Sequence, residues 1–189
     1  MALMLRPALL IMDEPTTGLD VTIEAAVLDL VDELRREMNM SILFISHNLG
    51  VIARLCERVG VMYAGELVEE AEVKSLFKSP RHPYTMGLLS CLPRPHGSKE
   101  DYSLWSIPGR VPTLDALPPG CLFASRCPMA REICLREAPE LRLLSDGGRS
   151  RCWFAEEVSS SAFGGLAEEV APGVPAAEEG AAGPTLKLE

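Results

Sequence analysis

An α/β layer is the fold that the first eighty residues predict, followed by a Pro-broken, Cys-bearing segment and an acidic tail. Three observations carry this. Short apolar runs alternate with amphipathic stretches to about residue 78. Eight prolines from Pro80 to Pro119 then break the chain into short pieces, and Ala, Glu, Gly, Pro and Ser dominate the end. The corresponding division is 1–78, 79–154 and 155–189.

Ala8 to Met12 is apolar throughout, the pattern of a strand buried on both faces. From Val21 to Met38, Ile23, Val27, Leu30, Val31 and Leu34 recur at three- and four-residue steps, predicting a helix with one buried stripe. Asp20 stands ahead of it and Glu24 lies in its first turn, where an acceptor and a negative charge suit the helix N-terminus. Ser41 to Ile45 predicts a second buried strand, and Leu49 to Leu55 a short helix. Val59 to Tyr63 and Glu66 to Glu70, joined by Ala64-Gly65, predict a hairpin. These strands are too few for a complete doubly wound domain and fit the closing portion of a larger sheet. Beyond Pro80 one helix is predicted, Tyr84 to Leu92. The tail cannot bury enough apolar surface to offset its ordering entropy and is expected to be disordered.

With 47% hydrophobic and 24% charged residues, the composition is that of a globular protein. The net charge of −9 is concentrated: residues 155–189 hold seven Glu and one Lys, leaving only −3 for the rest. Clustered Lys and Arg of a nucleic-acid surface are absent from the sequence. No apolar run approaches the roughly 20 residues of a membrane helix, and the N-terminus shows no secretory pattern. An intracellular location is expected, with the six Cys reduced unless they bind metal.

Asp13 and Glu14 end the first strand and run into Pro15-Thr16-Thr17-Gly18. Carboxyl ends of strands are where α/β sheets bind ligands. An Asp there can hold Mg²⁺, and an adjacent Glu can orient or deprotonate an attacking water. Asp-Glu alone reads more readily as a solvated acidic turn at a strand end. The longer context, Leu9-Leu10-Ile11-Met12-Asp13-Glu14-Pro15-Thr16-Thr17-Gly18-Leu19-Asp20 with Ile45-Ser46-His47-Asn48 ending the next strand, resembles the ATPase subunits of ABC transporters.

That resemblance makes the first segment a Walker B strand with Asp13 at Mg-ATP, Glu14 as catalytic carboxylate and His47 as the residue at the γ-phosphate. Thr17-Gly18-Leu19-Asp20 then corresponds to the D-loop at the interface with a second ATPase subunit. G-x-x-x-x-G-K-[ST] occurs nowhere in the sequence, and the glutamine loop and Ser-Gly-Gly signature are also missing. The resemblance thus covers the C-terminal part of a P-loop ABC-type ATPase domain, residues 1–78, and the chain is expected to begin partway through a longer protein. By itself it is expected neither to bind ATP tightly nor to hydrolyse it.

Ser79-Pro80-Arg81-His82-Pro83-Tyr84-Thr85-Met86-Gly87, Ile107-Pro108-Gly109 and Pro119-Gly120-Cys121-Leu122-Phe123 resemble the C-terminal extension of the oligopeptide, dipeptide and nickel importer subfamily. This implies permease partners and a peripheral position on the cytoplasmic face of the cell membrane. It leaves open whether the cargo is peptide or nickel. His82, flanked by Pro, is read as structural. Cys56 and Cys91 are read as buried thiols in apolar helical contexts.

Cys121, Cys127, Cys134 and Cys152 form C-x₅-C-x₆-C-x₁₇-C, wider than the pairs of structural zinc sites. The four thiols, and Pro128 after Cys127, suit an iron–sulfur cluster. The subfamily resemblance adds that some members carry a 4Fe–4S cluster on such an extension. Free thiols, zinc and disulfides are the alternatives, in that order. Arg126, Arg131, Arg136, Arg149 and Arg151 are read either as offsetting a cluster's charge or as solvated surface. The competing functions are a non-catalytic metal-dependent docking or regulatory module, and a partial product with no independent role.

Overall fold

The computed structural model describes residues 2–92 and 106–158. The expected disorder of the tail falls largely on 159–189, outside the described residues. Two compact units divide the chain, the first ending at Cys56 and the second starting at Glu57.

In the first unit, β1 (Leu9–Asp13) and β2 (Ser41–Ile45) pair in parallel, Leu9 opposite Ser41 and Asp13 opposite Ile45. Between them runs α1 (Val21–Met38). Asp20 caps it by accepting the N–H groups of Thr22 and Ile23, both at 3.0 Å. Asn39 ends it in the left-handed region, as Asn tolerates. After β2, Asn48 caps α2 (Leu49–Leu55) in the same way through Gly50 and Val51.

Two expectations about burial fail here. Both strands were expected to be buried on both faces, yet Leu9, Ile11, Leu43 and Ile45 are exposed, Ile11 to 60%. The reason is that the sheet has only two strands among the described residues, and its outward face has no layer over it. In α1 the buried side chain is Leu28, whereas Ile23 and Leu30 of the expected stripe are half exposed.

The second unit opens with β3 (Arg58–Tyr63) and β4 (Glu66–Glu72), an antiparallel hairpin with a bulge between Val61 and Met62. Ala64 and Gly65 turn it, both at positive φ, which matches the twist of the strands. An unpredicted helix, α3 (Val73–Lys78), follows and buries Leu76 and Phe77. Then comes α4 (Pro83–Ser90), with Pro83 in its first turn. After a Pro-rich strap lie α5 (Glu132–Arg136), β5 (Arg142–Leu143) and β6 (Arg149–Ser150). The two short strands extend the hairpin into a four-stranded antiparallel sheet ordered β3-β4-β6-β5. The hairpin read as part of the ATPase segment is thus hydrogen-bonded to the extension.

Phe123 is the hub of this unit's core. Its ring stands 5.3 Å from Tyr63, 5.5 Å from Tyr84 and 6.0 Å from His82, centre to centre. Arg126 fastens the strap to the hairpin by donating to the carbonyls of Ile107 and Pro108 and to the Tyr63 hydroxyl. Gly120 is required by contact: a Cβ there would lie 2.3 Å from the Cys134 carbonyl oxygen. The expected tail begins in order rather than disorder. Ala155–Glu157 forms a 3₁₀ turn, with Ala155 fully buried and Arg131 pairing with Glu157.

Candidate functional site

The sequence-predicted residues gather at two places. The first is the carboxyl end of the parallel pair. Asp13 closes β1 there, exposed. Glu14 follows at φ +47°, a left-handed conformation that costs a non-glycine residue about 1–2 kcal/mol. Its N–H donates to the Ile45 carbonyl at 2.9 Å, so the β2 end itself holds the turn. The twist sends the Glu14 carboxylate toward the next strand end, where Oε1 lies 2.8 Å from His47 Nδ1. Thr17 donates its hydroxyl to the other oxygen at 3.0 Å. The hydrogen bond to His47 is the main reason that Glu14 titrates below the ordinary carboxylate range. Glu14 thus stays ionised and oriented, while His47 keeps Nε2 available on an exposed ring. Strain at a residue carrying reactive groups is a recurrent feature of functional sites.

Asp20 caps α1 as its place ahead of the helix predicts, its carboxylate accepting the amides of Thr22 and Ile23. Thr17 is the residue that sequence reasoning did not single out as a support for Glu14. Thr three residues after a strand-end Glu was the available signal.

The second place is a small apolar hollow in the other unit, lined by Cys121, Cys127, Cys134 and Cys152 together with His82, Pro83, Phe123 and Phe154. The four cysteines, spread over 32 residues, therefore share one cavity. Burial pushes the Cys127 thiol up to about 12 and that of Cys152 to about 11, and raises Cys121 as well. The Phe154 N–H donates to Cys152 Sγ at 3.4 Å. The donor set suits an iron–sulfur cluster, but among the described residues no three His, Cys, Asp or Glu side chains converge as a metal site.

The arginines named for charge compensation are engaged elsewhere. Arg126 holds the strap, Arg131 and Arg136 pair with Glu157 and Glu132, Arg149 with Glu70, and Arg151 with Glu66. Arg142, not singled out in the sequence, is the cation that acts on Cys152. His82 is buried and caps α4 by accepting the Tyr84 N–H at 3.1 Å. Cys56 is half-buried and Cys91, contrary to expectation, is exposed because α4 ends at Ser90.

Residues 68–134 match the family model of the oligopeptide/dipeptide transporter, C-terminal region. The oligopeptide transport ATP-binding protein of Bacillus subtilis is 50% identical over 156 residues, 82% of this chain and 47% of that protein. Its counterpart in Salmonella typhimurium is 48% identical over 153 residues, 81% of this chain and 45% of that protein. A Brucella ovis protein whose name assigns it to ATP binding in peptide import is 49% identical over 164 residues, 85% of this chain and 48% of its own length. The chain spans about half the length of the curated relatives it matches. Over that half, the chain belongs to the family of ATP-binding proteins of oligopeptide and dipeptide transport.

Proposed function

We propose that this chain supplies the hydrolytic end of an ATP-binding subunit that drives peptide import. The supporting observation is the 2.8 Å approach of Glu14 to His47 across neighbouring parallel strand ends. In this reading Glu14 orients the attacking water and accepts its proton, and His47 Nδ1 fixes the carboxylate while Nε2 faces the γ-phosphate. Asp13, a hard oxygen donor at an open strand end, suits Mg²⁺. The bound cation would neutralise charge on the phosphates. Thr17 to Asp20 faces a second ATPase subunit, and permease subunits hold the assembly at the cytoplasmic face of the membrane. Nothing in the sequence supplies a backbone cradle for the phosphates, so the isolated chain is inactive.

Two measurements test this. Titrating Mg-ATP into the purified chain gives no micromolar binding isotherm; a clear one refutes the inactivity. Residues 1–158 are then joined to the part of the Bacillus subtilis relative that they do not match. Hydrolysis in that chimera falls on the order of 100-fold or more for Glu14→Gln, the scale of a lost general base. Unchanged turnover sinks the role of Glu14.

A second reading concerns the cysteine cavity. We infer that Cys121, Cys127, Cys134 and Cys152 hold a 4Fe–4S cluster that braces the Pro-rich strap. Four thiols lining one cavity, with the Phe154 N–H on Cys152 Sγ, support it. Chain purified without oxygen then contains about four iron atoms; a colourless, iron-free preparation removes the cluster.

A further inference from the structure

The second unit holds another hollow, of about 170 Å³, between the start of β4 and the Pro-rich strap. Val68, His82, Phe123 and Pro139, all buried, form its interior, while Leu117 and Pro118 of the strap are exposed. A dry apolar cavity of about 150 Å³ is enough to take a benzene ring. This space therefore suits a branched or aromatic hydrocarbon group. Prolines along its wall offer an occupant no main-chain N–H.

Two charges border the apolar space. Glu66 opens β4 and Arg151 follows β6, and their side chains are 46% and 28% exposed. Main-chain groups fix Arg151. Its N–H donates to the Val68 carbonyl at 2.8 Å, Nε to the Leu67 carbonyl at 2.9 Å and Nη1 to that of Pro139 at 3.3 Å. Glu66 Oε2 lies 3.5 Å from Nε, well beyond the length of a charge-assisted hydrogen bond, about 2.7–2.9 Å. Among the described residues Nη2 donates to nothing. A carboxylate acceptor and a double donor are thus left for a third party.

The two charges together select a ligand class. Glu66 disfavours phosphates and other anions, and Arg151 disfavours bare cations. A molecule carrying both charges on one carbon meets neither penalty. In an α-amino acid the nitrogen and the carboxyl carbon stand about 2.5 Å apart, so both can face a pair whose own members are 3.5 Å apart.

We propose that this hollow binds a free α-amino acid with an apolar side chain. Its ammonium meets Glu66, its carboxylate meets Arg151 Nη2, and its hydrocarbon lies among Val68, Leu117 and Phe123. Cys121 lines this hollow and the cysteine cavity alike, so the occupant also shields that residue. Binding of this kind needs neither ATP nor a cluster, and stands or falls apart from both.

Titrating L-leucine into the full chain, followed by amide NMR, tests the site. Saturable binding on the order of 1 mM or tighter is expected, with the largest shifts at Glu66, Leu117, Gly120 and Arg151. N-acetyl-leucine and leucinamide each lack one charge and bind at least roughly tenfold more weakly. L-leucine binds Glu66→Gln more weakly by a similar factor. No saturation up to about 10 mM overturns the site. So does equal affinity for the three compounds, or shifts confined to the exposed apolar residues of β1 and β2. Should Glu66→Gln fail to fold, Leu117→Asp on the exposed wall takes its place, and undiminished binding to it overturns the site.

Discussion

The unit bearing Glu14 and His47 and the unit bearing the cysteines are built on opposite principles. In the first, backbone does the positioning: a parallel ladder, two Asx-type caps and one left-handed turn place the reactive groups, with Leu28, Met40, Val51 and Ile52 as its buried apolar side chains. In the second, side chains do it. Tyr63, Tyr84, His82 and Phe123 interlock, and even a carboxylic acid is fully enclosed. The lesson is that polar chemistry at strand ends needs little core beneath it. A Pro-rich segment with few ladders needs dense packing instead, because its backbone has so few partners of its own.

Three substitutions can break or sharpen this contrast. The largest effect belongs to Phe123→Ala, which removes the shared ring and costs the second unit about 3–5 kcal/mol. Chemical denaturation followed by tryptophan fluorescence measures it. Equal loss of the first unit's helical signal would show the two units to be one cooperative block.

Asp20→Ala comes next. It frees the two amides it caps and costs α1 about 1 kcal/mol. Amide exchange should quicken in α1 and stay unchanged in β4; a change in β4 would deny the independence of the units. The smallest effect is electrostatic. His47→Ala removes the chief cause of the lowered Glu14 titration, so that carboxyl returns upward toward the ordinary range, and Thr17→Ala moves it less. Carbon NMR of Glu14 reads both. No movement in either variant would mean that the two side chains do not hold Glu14 in solution.

Much of the first unit was legible because its signals are local. Asp20 stands where α1 needs an acceptor, Ser41–Ile45 and Leu49–Leu55 have the bounds the apolar pattern predicts, and Ala64-Gly65 turns the hairpin. Burial was less legible. An apolar run reports a preference for cover but not whether a layer exists to provide it, which is why Ile11 and Leu30 stand exposed. In the second unit α3 went unseen because six residues show no helical period long enough to read. Glu69 also escaped notice: it is one of four Glu in β4, and only the amides of Arg81 and His82, from beyond the strand, set it apart.

The sequence by itself determined the order of strands and helices as far as the hairpin, the presence of a carboxylate and a histidine at successive strand ends, and the family of the extension. Each of these rests on short-range pattern or residue identity. Only the tertiary structure decided that Glu14 turns through a left-handed conformation onto His47, that four cysteines spread over 32 residues line one cavity, and that the hairpin joins the sheet of the extension. Those facts depend on contacts between residues far apart in the chain, such as Arg151 N–H to the Val68 carbonyl at 2.8 Å. Local propensity contains no information about which distant partner will satisfy a given group.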